Sequence, residues 1–167
     1  IYVRAGGRVR AVGDLAGARI GVPEWAQTAA VYSRGALRHQ FGMDLNAIHW
    51  VQAGVGQPGR VEKVELALPS GLRLERRPDT SLDAMLLAGE LDAVLSAHPP
   101  PSFRAGDPRV ARLYPDAQAV EEDFFRQTGV FPIMHTIAIR REVLERSPWV
   151  AGNLLTAFTA AKSAAVA

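Results

Sequence analysis

The sequence predicts an α/β fold, and three observations carry that prediction. Short apolar runs alternate with segments whose apolar residues recur every three or four positions. Helix signals bracket those segments: Thr28, Ser81, Asp116 and Ser147-Pro148 open them, and Gly42, Gly89 and Gly129 close them. Turn chemistry rich in glycine and proline separates the runs.

Taken in order, Ile1 to Val3 reads as the first strand. Asp14-Leu15-Ala16-Gly17 turns the chain into a second strand, Arg19 to Val22, which Pro23 ends. Gln27 and Thr28 then open a helix to Phe41, with Ala30, Val31, Leu37 and Phe41 as its buried face. Ile48 to Val51 is a third strand, and residues 53–60 form a glycine-rich loop. Val61 to Leu68 and Leu72 to Glu75 flank Pro69-Ser70-Gly71 as a β-hairpin with one wet face. Thr80 or Ser81 caps a helix carrying Leu82, Met85 and Leu86. Ala93 to Leu95 is an apolar strand ended abruptly by Ser96-Ala97-His98-Pro99-Pro100-Pro101. A strand at Val110 to Tyr114 and a helix from Asp116 to about Arg126 follow. Ile133 to Ile139 reads as a strand with His135 inside it, and the last helix buries Trp149, Val150, Leu154, Leu155 and Phe158.

Composition excludes several classes. No apolar run among the 167 residues approaches the ~20 needed to cross a bilayer as a helix. The absence of cysteine removes disulfides, thiolate metal sites and cysteine nucleophiles. Nineteen basic against 17 acidic residues give a net charge of +2. Only Lys63 and Lys162 are lysines, and the arginines are scattered rather than gathered into a nucleic-acid stripe. The chain begins within a strand and stops within a helix, so it reads as a piece of a longer polypeptide.

The strongest local feature is the strand–turn–helix Ile20-Gly21-Val22-Pro23-Glu24-Trp25-Ala26-Gln27-Thr28. It delivers free backbone N–H groups and the positive end of a helix dipole, with Gln27 and Thr28 adding side-chain donors. Without phosphate-loop glycines, a carboxylate suits it better than a nucleotide, although Thr28 as a plain cap is the simpler alternative. Arg34 is about 240° around the helix from Thr28, so spacing alone makes it a solvated surface arginine. His98 and Ser96 follow a strand end, where α/β sheets border ligand crevices. His135 interrupts an apolar run and is either a satisfied core residue or a site residue. His39 and His49 read as helix-end and packed residues. No histidine pair has metal-ligand spacing, and no G-x-S-x-G elbow supports a serine hydrolase.

Two segments resemble the type 2 periplasmic-binding-protein fold: Asp14-Leu15-Ala16-Gly17-Ala18-Arg19-Ile20-Gly21-Val22-Pro23 and Leu87-Ala88-Gly89-Glu90-Leu91-Asp92-Ala93. Three more resemble the 4,5-dihydroxyphthalate decarboxylase family built on that fold. They are Gln27-Thr28-Ala29-Ala30-Val31-Tyr32-Ser33-Arg34-Gly35, Thr128-Gly129-Val130-Phe131-Pro132-Ile133-Met134-His135, and Arg112-Leu113-Tyr114-Pro115-Asp116 leading to Glu121-Glu122. The resemblance implies two lobes with mixed central sheets closing on a ligand. Residues 14–127 would form lobe two; residues 1–13 and 128–167 would supply hinge strands and part of lobe one. His135 and Arg4 would then lie on hinge strands as cleft residues.

It also implies a non-oxidative decarboxylase of a hydroxylated aromatic carboxylate. His135 would be the proton donor with His98 in reserve, since an imidazole exchanges protons near neutrality. Gln27, Thr28, Arg34, Arg4 and Ser96 would hold the substrate, with no organic cofactor and no metal. The expected partner is a small aromatic or organic carboxylate, with neither nucleic acid nor membrane insertion, and self-association is left open. The expected location is cytoplasmic, or periplasmic if a signal peptide lies upstream. The alternative is a non-enzymatic solute-binding protein for a small organic anion, which needs the clamp but no acid. A third is a biosynthetic enzyme of the same fold.

Overall fold

The computed structural model describes residues 1–133 and 135–166. The chain divides into two compact units, Ile1–Pro132 and Ile133–Ala167.

The first unit is built on a six-stranded mixed sheet in the order β4-β3-β2-β5-β1-β6. The strands are β1 (Tyr2–Arg4), β2 (Arg19–Val22), β3 (His49–Gly54), β4 (Arg73–Ser81), β5 (Ala93–Val94) and β6 (Val110–Arg112). β2, β3, β4 and β5 are parallel to one another, and β1 runs against both β5 and β6. Every strand except β1 therefore points its carboxyl end the same way.

Side chains alternate across the strands and make two cores. On one face Ile20, Val22, Trp50, Ala93 and Leu95 pack with Ala30 and Leu37 of helix α1 (Thr28–His39). On the other, Val51, Ala53 and Val94 pack with Leu82, Met85 and Leu86 of helix α2 (Leu82–Ala88). The helix linking β2 to β3 thus covers one face, and the helix linking β4 to β5 covers the opposite one. Gly21 makes room for this second packing: a Cβ there would stand 2.6 Å from Leu82 Cδ2 and 2.8 Å from Leu91 Cδ1. Ser81 caps α2 by accepting from the Ala84 N–H at 3.2 Å, and Gly89 ends it at φ +78°. A short helix α3 (Pro101–Arg104) follows β5, its Phe103 ring 5.0 Å from that of Tyr2. Helix α4 (Ala117–Thr128) starts at Asp116, which accepts from the Ala119 N–H, as its sequence signal requires.

Four expectations change. The hairpin does not form: the turn at 69–72 exists, with Leu72 N–H donating to the Pro69 carbonyl, but residues 61–68 make no strand. Instead 73–81 pairs in parallel with β3, from His49↔Arg73 to Gly54↔Ser81, while Arg60, Glu62 and Lys63 engage the loop after β2. Helix α1 stops at His39, short of Phe41; Val31 and Phe41 are exposed, and Arg34 lies buried beside Ala30 and Leu37. Residues 133 and 135–140 form no ladder, because alternation makes a strand only where a neighbour supplies the other half of the hydrogen bonds; Met134 lies outside the described residues. Helix α6 (Trp149–Ala165) leaves Trp149, Leu155 and Phe158 exposed rather than buried. The second unit consists of α6 packed with α5 (Arg141–Arg146), a helix the sequence reading did not anticipate. Among the described residues no helix is long and apolar enough to cross a membrane.

Candidate functional site

β2 and β5 lie side by side, yet the chain leaves β2 toward α1 on one face and leaves β5 toward α3 on the other. Such a parting of loops at the carboxyl edge opens a crevice where α/β sheets bind ligands. Trp25 and Gln27 lie on the segment that follows β2, Ser96 and His98 on the segment that follows β5.

On the β2 side the loop is tightly held. The Glu62 carboxylate accepts from the Trp25 N–H at 2.6 Å and the Ala26 N–H at 3.0 Å. The buried Glu24 carboxylate accepts from the Arg60 guanidinium, with the Lys63 ammonium 3.9 Å away. Gln52 Nε2 donates to the Pro23 carbonyl at 2.8 Å and the Arg60 carbonyl at 3.0 Å. The Trp25 ring stands edge-on to Trp50, centroids 5.3 Å apart. Beyond this clamped loop α1 begins, and no side chain caps it, so the first-turn amides remain for an anion.

Arg34 completes this corner. Its residue is only 7% exposed, and its guanidinium lies over the Trp25 ring, 3.6 Å from the centroid. Long helical side chains lean toward the N-terminus, which is how a residue in the second turn reaches the loop before the first. Nη1 of Arg34 and Oε1 of Gln27 are buried without a hydrogen-bond partner. Burial pushes the guanidinium's pKa down to about 10, with the Glu62 charge opposing that fall. A buried cation with an unspent donor, beside an open helix N-terminus, is suited to a carboxylate.

The remaining sequence candidates are placed as follows. Thr28 is exposed at the first position of α1, Ser96 is half-buried after β5, and His98 is exposed two residues farther on. Arg4 ends β1 at the opposite edge of the sheet, where its guanidinium covers Gly89. The sheet therefore brings Gln27, Thr28, Arg34, Ser96 and His98 to one edge and leaves Arg4 out. His135 is exposed, in the second unit. Among the described residues no three His, Asp or Glu side chains gather to hold a metal ion. Sequence reasoning missed Glu62, whose partners lie 36 and 37 residues away with no local signal, and the part Trp25 plays as the surface for Arg34.

Comparison with known proteins agrees with the motifs. The chain is 38% identical over 167 residues to a 4,5-dihydroxyphthalate decarboxylase of Comamonas testosteroni, covering 99% of this chain and 51% of that protein. Its similarity to that decarboxylase runs along nearly the whole of this chain. A second member, from Pseudomonas putida, is 40% identical over 127 residues, 75% of this chain and 49% of that decarboxylase. The chain thus spans about half the length of the decarboxylases it matches. No family model matches it.

Proposed function

We propose that this chain is the ligand-gripping part of a non-oxidative decarboxylase acting on a hydroxylated aromatic carboxylate like 4,5-dihydroxyphthalate. The fold is a two-lobed, binding-protein-like one, with residues 14–127 as lobe two and residues 1–13 and 128–167 as hinge and part of lobe one. The observation that carries the reading is Arg34: a buried guanidinium with an unpartnered donor at an uncapped helix start. Relatives named for a dicarboxylate substrate supply the chemical class.

The reaction needs three things. One carboxylate must be gripped, which falls to Arg34 and the first turn of α1, with Gln27, Thr28 and Ser96 as flanking contacts. The other must leave as CO₂, its bonding pair passing to the ring carbon. That carbon, enriched by the hydroxyl para to it, must take a proton as the pair arrives. Imidazolium is a suitable donor, and both His98 and His135 are exposed enough to exchange the proton with water afterwards. His98 shares the sheet edge with Ser96, and His135 stays the first candidate on its chemistry. A cytoplasmic enzyme of aromatic catabolism fits this reaction.

The test is CO₂ release by the full-length protein from a panel of hydroxylated aromatic acids, with 4,5-dihydroxyphthalate first. Tight binding without release overturns the decarboxylase and leaves a solute-binding protein. His135→Asn should cut turnover at least 100-fold while leaving affinity within a few-fold, as loss of a general acid does. If His98→Asn shows that pattern instead, the donor is His98.

A further inference from the structure

Among the described residues four buried side-chain polar atoms lack a partner: Arg19 Nε, Gln27 Oε1, Arg34 Nη1 and Tyr114 Oη. Arg19 stands at the amino end of β2 and uses another guanidinium nitrogen on Glu75 at 3.1 Å. The other three belong to the opposite edge of the sheet. Arg34 Nη1, a donor, is explained by the carboxylate site, and Gln27 Oε1, an acceptor, by a hydroxyl of the same aromatic acid. Tyr114 is not.

Tyr114 lies just beyond β6, and β6 points the same way as β5, so Tyr114 emerges at the edge that carries Ser96 and the start of α1. Its ring packs against the same apolar cluster as Trp25, the ring beneath Arg34. The backbone holds it on both sides. Leu113 N–H donates to the Ile1 carbonyl at 3.0 Å, Pro115 restricts Tyr114 to extended conformations, and Asp116 is fixed as the cap of α4. Burial raises the phenol's pKa, which keeps the hydroxyl a donor at neutral pH. A buried hydroxyl with no partner costs the fold free energy, and phenylalanine would fill the same space without that cost.

We propose that the Tyr114 hydroxyl is a further substrate-contacting group of this site, donating a hydrogen bond to a carboxylate oxygen of the bound aromatic acid. The proposal rests on the functional reading above and adds a residue to it. It also gives a role to the Arg112-Leu113-Tyr114-Pro115-Asp116 segment, which the carboxylate corner alone does not use.

The experiment sets stability against binding in Tyr114→Phe, made in the full-length protein. Thermal unfolding should occur at the same or a higher temperature than in the parent. Calorimetric titration with phthalate should show at least tenfold weaker binding, with kcat/KM for the hydroxylated substrate falling in parallel. A variant that melts earlier overturns the proposal, because the hydroxyl then serves the fold. Phthalate binding by the variant equal to that of the parent also overturns it, and leaves the functional reading standing. Failure of the parent itself to bind phthalate overturns the functional reading and this proposal together.

Discussion

Replacing Arg34 by methionine should make the protein more stable and worse at holding its ligand. Arg34 is 7% exposed, and burial has pushed its guanidinium's pKa down to about 10, well below its value in an unfolded chain. Because the folded value is the lower one, the unfolded chain keeps its proton through the interval between them. Stability attributable to this group therefore rises as pH climbs above about 10, and at neutral pH the fold carries the whole penalty. At about 1.4 kcal/mol per pKa unit the penalty is on the order of 3 kcal/mol. Stacking on Trp25 returns about 1–2 kcal/mol of it. Methionine keeps much of the packing without the charge, so a net gain of about 1–2 kcal/mol follows, or roughly 3–6 °C in Tm. Binding moves the other way. Losing a charge-assisted bond of about 1.5–3 kcal/mol weakens a carboxylate ligand by roughly 10- to 150-fold. Differential scanning calorimetry and titration with phthalate, both near pH 7.5, read the two effects on one preparation. A variant that melts lower and binds phthalate as before would refute the argument, since Arg34 would then be a structural cation.

Two other substitutions test what positions this corner. Glu62→Gln removes the charge that holds the Trp25 and Ala26 amides, so hydrogen exchange at both should quicken at least tenfold while Val51, inside β3, is unaffected. Equal rates at Trp25 and Ala26 before and after would remove Glu62 from the loop's support. Gly21→Ala forces a methyl into the Leu82 and Leu91 side chains and should cost about 1–3 kcal/mol, seen as a lower urea midpoint; an unchanged midpoint would mean α2 rides more loosely on the sheet than its packing indicates.

Local chemistry was well written in the residues, and partner choice was not. Ser81, Asp116, Gly89 and Gly129 cap or end their helices as their side chains, or lack of them, require. The turn at 69–72 was also readable, with Gly71 at φ +85°. What that turn joins was not, because Glu62 reaches back to the end of β2 instead of letting 61–68 pair with 73–75. Arg34 was misjudged for a different reason. A helical wheel places Cβ atoms, and a long side chain leaning toward the N-terminus ends up where the wheel shows nothing. Tyr114 sits inside a motif but carries no mark of its own in the sequence. An unpaired hydroxyl is visible only when everything around it is in place.

β1 is the first strand in the chain, yet it sits between β5 and β6, with Tyr2 opposite both Val94 and Arg112. Those neighbours arrive on the growing chain long after it. During synthesis β2, β3, β4 and β5 can assemble, with α1 and α2 on their faces, while the flank of β5 stays unpaired. Closing the sheet then means carrying β1 across a long loop into a slot complete only once β6 exists, a slow step by its non-local contacts. Until it happens the open flank of β5 can accept a foreign strand. Of these six strands the earliest made is the last to be placed, and the corner at the end of β2 is finished before the sheet that carries it.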